Sequence, residues 1–285
     1  MAQSIKQIKT RIRSVENTKK VTGAMQMISV AKLNRIQNQL FVLRPYALRL
    51  ENLMHNLAGL SGENLSAYFK KGSARAPIAL CLISSDSGLC GMYNQNIIHS
   101  VQEFLEKNNS QKIKLILVGQ KGLNYFRTSG MEIWNSYIGL NAKFNQDFCN
   151  RITLELSNLF LSGQVSSVYL AYTYFENSLI QKARIEQLLN IQPRTIKPIE
   201  YIVEPDFKSM LADLVPRYLK IKMQLVLLES FTSEHASRTV SMKTATDNAK
   251  DLLEGLVLFR NKVRQAGITQ DILEITSSVE ALRGS

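Results

Sequence analysis

Residues Ile5–Leu57 read IKQIKTRIRSVENTKKVTGAMQMISVAKLNRIQNQLFVLRPYALRLENLMHNL. The spacing of their apolar side chains decides the fold. The seam runs Ile5, Ile8, Ile12, Val15, passes through Lys19, Thr22, Gln26 and Ser29, and resumes as Leu33, Ile36, Leu40, Leu43, Ala47, Leu50, Met54 and Leu57 in the same phase. Steps of three and four in strict alternation over about eight heptads make a coiled-coil seam. Pro45 removes one helical hydrogen bond. It is expected to bend the helix rather than end it, because the seam continues past it.

The end of the chain repeats the pattern. Leu211, Leu214, Tyr218, Ile221, Leu225 and Leu228 alternate by three and four. The frame then passes through Thr232, His235, Thr239, Met242, Thr246 and Ala249 before Leu253 and Leu256. No glycine lies between Met210 and Gly255, and Pro216 is the last proline, so one helix of about 70 residues and roughly 100 Å is expected. Both seams turn polar in their middles. An antiparallel pair with facing positions summing to about 265 sets residues 18–30 against residues 235–247 and matches the two polar stretches. That arrangement implies looser packing at mid-length and leaves residues 265–285 projecting as a single helix.

Between the helices the period changes. Ile78–Ile83 (IALCLI) and Ile113–Val118 (IKLILV) suit buried parallel strands, and Val165–Phe175 is a third, longer run. Helical stretches fall near residues 94–107, 120–128 and 145–162. The expected architecture is α/β: a long antiparallel coiled coil of N- and C-terminal helices (1–58 and 208–285) around an inserted α/β domain (59–207) with a mainly parallel sheet. The joints are expected at Gly59–Gly62 and Pro193–Pro205.

Composition narrows the function. The chain has 285 residues, 45% hydrophobic and 20% charged, as expected of a chain that buries a core. No apolar run of transmembrane length occurs, and the N-terminus lacks the apolar block of a secretory signal. Cys81, Cys90 and Cys149 are too few and scattered for a disulfide framework or a zinc site, so a reducing, intracellular compartment is expected. The net charge is +12, of which +8 falls in residues 1–57. A basic segment of this kind suits an acidic protein surface, nucleic acid or membrane headgroups. A basic coiled-coil nucleic-acid binder is therefore the competing class, disfavoured by the single tryptophan (Trp134), the few aromatics and the near-neutral last helix.

Enzymatic motifs are absent. No Walker A or GxGxxG pattern follows a strand, and His55, His99 and His235 lack metal spacing, so no cofactor, metal or small-molecule substrate is expected. The segment SSDSGLCGMYN (Ser84–Asn94) places Cys90 near Asp86, yet nothing basic stands beside it to lower its pKa. It reads as a tight strand-to-helix turn, with Gly88 and Gly91 supplying permissive backbone. His235 reads as a polar residue that sets register.

The termini carry a resemblance. Ile5–Leu33 resembles the N-terminal helix of the gamma subunit family of F-type ATP synthases, and Thr232–Leu282, with its SMKTATDNA and NKVRQAGITQDILEI blocks, resembles that family's C-terminal helix. DSGLCG and the EP turn before the last helix fall in the family's order, so the resemblance covers the whole chain. It implies a non-catalytic central-stalk rotor that couples proton flow to ATP synthesis or hydrolysis on beta subunits. The implied partners are the alpha and beta subunits of the catalytic hexamer, the epsilon subunit and the membrane c-subunit ring. The implied location is peripheral, on the cytoplasmic face of a bacterial inner membrane.

By the same resemblance, Met25, Arg264 and Gln265 meet beta subunits, while Tyr201, Val203 and Glu204 form the foot on the c ring. Asp86, Gly88, Cys90 and Gly91 form the turn of the inserted domain. Four departures stand out: Gly23 in place of a lysine, Ser87 in place of an arginine, Val203 in place of a tyrosine, and Arg260 in place of an aromatic. The chain has no long insertion with paired cysteines, so the thiol-regulated chloroplast form is not expected.

Overall fold

The computed structural model describes residues 2–60, 67–70, 72–73, 75–192 and 207–283. Helices α1 (Ala2–Leu60) and α5 (Phe207–Arg283) enclose an α/β segment. In chain order that segment holds β1 (Ile78–Ile83), α2 (Tyr93–Lys107), β2 (Ile113–Val118), α3 (Gln120–Thr128), β3 (Ile133–Tyr137), α4 (Gln146–Leu161), β4 (Ser167–Phe175) and β5 (Gln181–Leu189). Pro45 and Pro216 both lie within continuous helix. The chain divides into two compact units, Ser29–Arg238 and Met1–Ile28 with Thr239–Ser285.

In the larger unit the strand order is β3-β2-β1-β4-β5. β1 to β4 pair in parallel and β5 closes one edge antiparallel to β4, so the sheet is mainly parallel. All six residues of β1 are buried because both faces of the sheet are covered. Leu80 and Leu82 pack toward Ile97, Val101 and Phe126 of α2 and α3. Cys81 and Ile83 pack into the opposite core, with Ile152 and Leu156 of α4 and Leu40, Met54, Met223 and Val226 of the long helices.

Two polar pairs fix the long helices against each other in this unit. Arg44 clamps Glu229 with Nε at 2.9 Å from Oε1 and Nη2 at 2.9 Å from Oε2. Seven residues later on α1, Glu51 meets Lys222, seven residues earlier on α5, at 3.4 Å. The helices are therefore antiparallel, with facing numbers summing to 273. That is about one heptad from the expected 265, because a heptad seam fixes phase but repeats itself every seven residues. Both pairs also reach the sheet: Glu229 Oε2 accepts from the Phe175 amide at 2.8 Å, and Lys222 reaches Glu186 of β5 at 3.1 Å. The His55 imidazole beside Glu51, together with Lys222, outweighs burial and holds the Glu51 carboxyl down at about 2.

The looser packing expected at mid-length does not hold for the α5 side of the seam in this unit. Every residue from Leu225 to Ala236 is buried, polar Thr232, Ser233, Glu234 and His235 included. A coiled-coil partner covers only one stripe of a helix; here the α/β segment covers another. In the smaller unit the Thr22 and Thr246 hydroxyls are hydrogen-bonded at 2.8 Å, and Ile8, Ile12, Met242 and Ala249 are buried. From Ile268 to Val279 every residue is exposed, as expected of a single projecting helix.

Candidate functional site

The turn after β1 gathers the carboxyl ends of three parallel strands. Asp86 Oδ1 accepts from the Gln120 amide at 3.1 Å, after β2, and from the Gly139 amide at 3.0 Å, after β3. Its Oδ2 accepts from the Asn141 amide at 2.6 Å. Asn94, in the first turn of α2, donates to Ser85 Oγ at 2.7 Å and to Cys90 Sγ at 3.2 Å, and accepts from the Ser85 amide at 3.0 Å. A single carboxylate thus ties three loops, and a single amide ties the turn to the helix it opens.

The crevice outside these strand ends is where open α/β sheets bind ligands. In this chain a turn of α5 reaches the same loops. Ser237 Oγ donates to the Cys90 carbonyl at 2.7 Å. Arg238 Nη2 reaches the Ser87 carbonyl at 3.3 Å, the Ser87 hydroxyl at 3.1 Å and the Gly88 carbonyl at 3.4 Å. The same guanidinium pairs with Glu234 Oε1 at 2.7 Å, one helical turn back. Ser87 supplies a hydroxyl that accepts from Arg238.

The electrostatics of Cys90 follow. Burial pushes its thiol pKa up, outweighing the Ser85 hydrogen bond and the Arg238 charge that pull it down. The sequence shows no basic neighbour; Arg238 arrives from the far end of the chain, yet a buried, protonated thiol remains a poor nucleophile. Burial likewise raises Glu234 to about 7 and lowers His235 to about 4. Gly88 does not supply the permissive backbone expected of it. The left-handed conformations in the turn belong to Leu89 (φ 62°) and Gly91 (φ 54°) and not to Gly88, whose added Cβ would meet only the Lys121 side chain, at 3.7 Å. Gly88 contributes a carbonyl, which any residue can offer.

The other candidate residues do not join this cluster. Met25 is 38% exposed, and Arg264 and Gln265 are exposed, all three in the smaller unit. With Thr22 beside Thr246, Met25 stands level with residues near 243, about 30 Å along the helix from Arg264. Tyr201, Val203 and Glu204 lie outside the described residues, as do Pro193–Pro205 and, of the joint Gly59–Gly62, Ser61 and Gly62. What surrounds Arg264 instead is an exposed apolar run: Leu258 and Phe259 before it, then Ile268, Ile272, Leu273 and Ile275.

Comparison with known proteins decides the family. The ATP synthase family model described as "ATP synthase" matches residues 4–282. The ATP synthase gamma chain of Anaeromyxobacter dehalogenans is 35% identical over 98% of this chain and 99% of its own. The gamma chain of Protochlamydia amoebophila is 32% identical over the same shares. The chain belongs to the ATP synthase gamma chain family. A chain in the central stalk and c-ring structure of the Tetrahymena thermophila mitochondrial ATP synthase is 25% identical, with a TM-score of 0.60 over 79% of this chain and 99% of that one. A chain of the Euglena gracilis mitochondrial ATP synthase, at 15% identity, shares the fold with a TM-score of 0.71 over 99% of this chain and 95% of that one. This gamma chain is a central-stalk rotor subunit of an F-type ATP synthase.

Proposed function

We propose that the smaller unit is the part of this rotor that a hexamer of alpha and beta subunits grips. In this reading ATP is made or hydrolysed on the beta subunits and the chain itself is not catalytic. The observation that carries it is the run Ile268, Ile272, Leu273 and Ile275, each more than half exposed on a helix that stands alone. An apolar surface of that extent calls for a protein sleeve. Met25, Arg264 and Gln265 are the beta-subunit contacts, and the exposed cations of α1 face acidic loops through solvent-screened attraction. Tyr201, Val203 and Glu204 form the foot on the c ring, beside the epsilon subunit. In this layout residues 1–58 and 208–285 are the coiled-coil helices and residues 59–207 the inserted domain. No described helix is long and apolar enough to cross a membrane. In this reading the chain sits peripherally on the cytoplasmic face of a bacterial inner membrane.

The mechanism follows from symmetry. One chain folded back on itself has no threefold axis, so each of three beta subunits meets a different face. A contact shifts a site's equilibrium only by the difference in its energy between that site's states. Turning the asymmetric chain moves the largest difference from one site to the next, which links ion flow to the order in which sites open. The test is substitution of Arg264→Ala and Gln265→Ala in the assembled complex. Coupled ATP turnover is expected to fall while the chain's unfolding temperature stays put; unchanged turnover in both variants removes these residues from the mechanism.

A further inference from the structure

Glu234 is a buried acid at the junction of α5 with the α/β segment, and the rotor reading leaves it without a task. It is 2% exposed. Oε1 accepts from Arg238, while Oε2 is buried with no hydrogen-bond partner among the described residues. Arg238 faces the carboxyl from its own helix, with the His235 ring beside that guanidinium. Asp86 and Cys90 face it from the turn after β1, Tyr93 from α2 and Lys32 from α1.

This geometry divides the two oxygens. An ionised carboxylate spreads charge onto an Oε2 that nothing solvates, which is costly in a buried site. A neutral carboxyl carries its proton on Oε2 and keeps Oε1 as the acceptor for Arg238. The guanidinium does not need the negative charge to stay in place, because the Ser87 and Gly88 carbonyls and the Ser87 hydroxyl also hold it. We propose that Glu234 is a proton-operated latch, neutral when α5 is docked on the Ser84–Gly91 turn, whose ionisation draws the carboxyl toward water and loosens that docking. Burial favouring the acid form up to about neutral pH places the switch in the working range of a cell. The latch belongs to the chain itself and stands or falls independently of the rotor contacts.

The test compares the full-length chain with Glu234→Gln, which mimics the neutral acid and is expected to fold at least as well. Amide hydrogen exchange is followed in the peptide covering Ser84–Met92 between about pH 5.5 and about pH 8.5. His235 responds to acid in both proteins, so the ratio of the two exchange rates isolates Glu234. That ratio is expected to rise roughly tenfold across the window as the parent loosens and the variant does not. A parallel titration of glutamate side-chain carbons by NMR is expected to show one carboxyl titrating near neutrality in the parent and missing in Glu234→Gln. A flat exchange ratio, or glutamates that all titrate in the ordinary carboxylate range, overturns the proposal.

Discussion

Two stretches of α5 invert the usual rule of burial. Thr232–His235 are polar and buried, while Ile268, Ile272, Leu273 and Ile275 are apolar and exposed. Most buried polar groups are hydrogen-bonded, and several of the partners here come from this chain's own loops and strands. Ser233 donates to the Thr173 carbonyl at 3.1 Å, and Ser237 and Arg238 grip the turn after β1. An exposed apolar stripe is completed by another molecule. Within one helix, then, polarity in the wrong place marks where the chain holds itself and apolarity in the wrong place marks where it is held.

The contrast breaks most visibly at Arg238. Replacing it with alanine strips donors from two carbonyls and leaves Glu234 without its cation. The expected loss is about 3–5 kcal/mol in urea unfolding of the full chain. The loss is expected to be smaller below neutral pH, where Glu234 takes up a proton and sheds the charge. A loss under about 1 kcal/mol would mean that the buried cluster is ornament to the docking and not its cause.

The next effect is the pH profile of stability. Glu234 titrates higher in the fold than in the open chain, so the native state binds the extra proton and stability falls as pH rises from about 4.5 through about 7. His235 titrates lower in the fold, so stability falls as pH drops from about 6.5 through about 4. The two slopes oppose each other between these limits and leave a plateau on the acid side of neutrality. Glu234→Gln removes the alkaline slope and is expected to stabilise the chain by up to about 3 kcal/mol at pH 8, with little change near pH 5. An unfolding curve that responds equally at both pH values would assign the slope to another group.

How much of this was legible follows from range. The long helices are legible because a seam repeats at every heptad, and β1, β2 and β4 because burial on both faces demands an apolar run. β3 (IWNSY) is an edge strand, half-exposed with two polar residues in five, and carries no such run. β5 (QKARIEQLL) alternates with charged residues Lys182, Arg184 and Glu186, the period of a one-sided strand and not the apolar run of a strand buried on both faces. Asp86 and Cys90 stand out locally as a turn, but the residues that give the turn its purpose, Ser237 and Arg238, lie about 150 positions away. The one available signal was the run of polar residues at seam positions of a helix that should have been apolar there. Register escaped for a related reason: phase is local, whereas the choice among heptads rests on Arg44 with Glu229 and Glu51 with Lys222.

A smaller effect tests the exposed side of the comparison. Gly23 sits inside α1, and beyond its own helical turn nothing lies within 4 Å of where a Cβ would go. Gly23→Ala is expected to raise stability by about 1 kcal/mol, because the helix gains propensity and meets no clash. Thermal unfolding of the full chain measures it, and a destabilised variant would mean that the glycine serves a close approach within the chain.

The smallest expected effect on the fold is at the projecting end of α5. Ile272→Ser with Ile275→Ser changes two side chains that are 56% and 64% exposed. Unfolding free energy is expected to move by no more than about 0.5 kcal/mol, the range of surface substitutions that touch nothing. The same pair is expected to lower the yield of assembled complex and its coupled turnover, because the apolar area lost is area a partner would bury. Arg238→Ala does the reverse, costing stability before assembly is attempted. If the double serine variant unfolds readily, the stripe is packed within the chain. If it assembles and turns over like the parent, the exposed stripe does not mark the gripped surface, and the contrast along α5 loses its outer half.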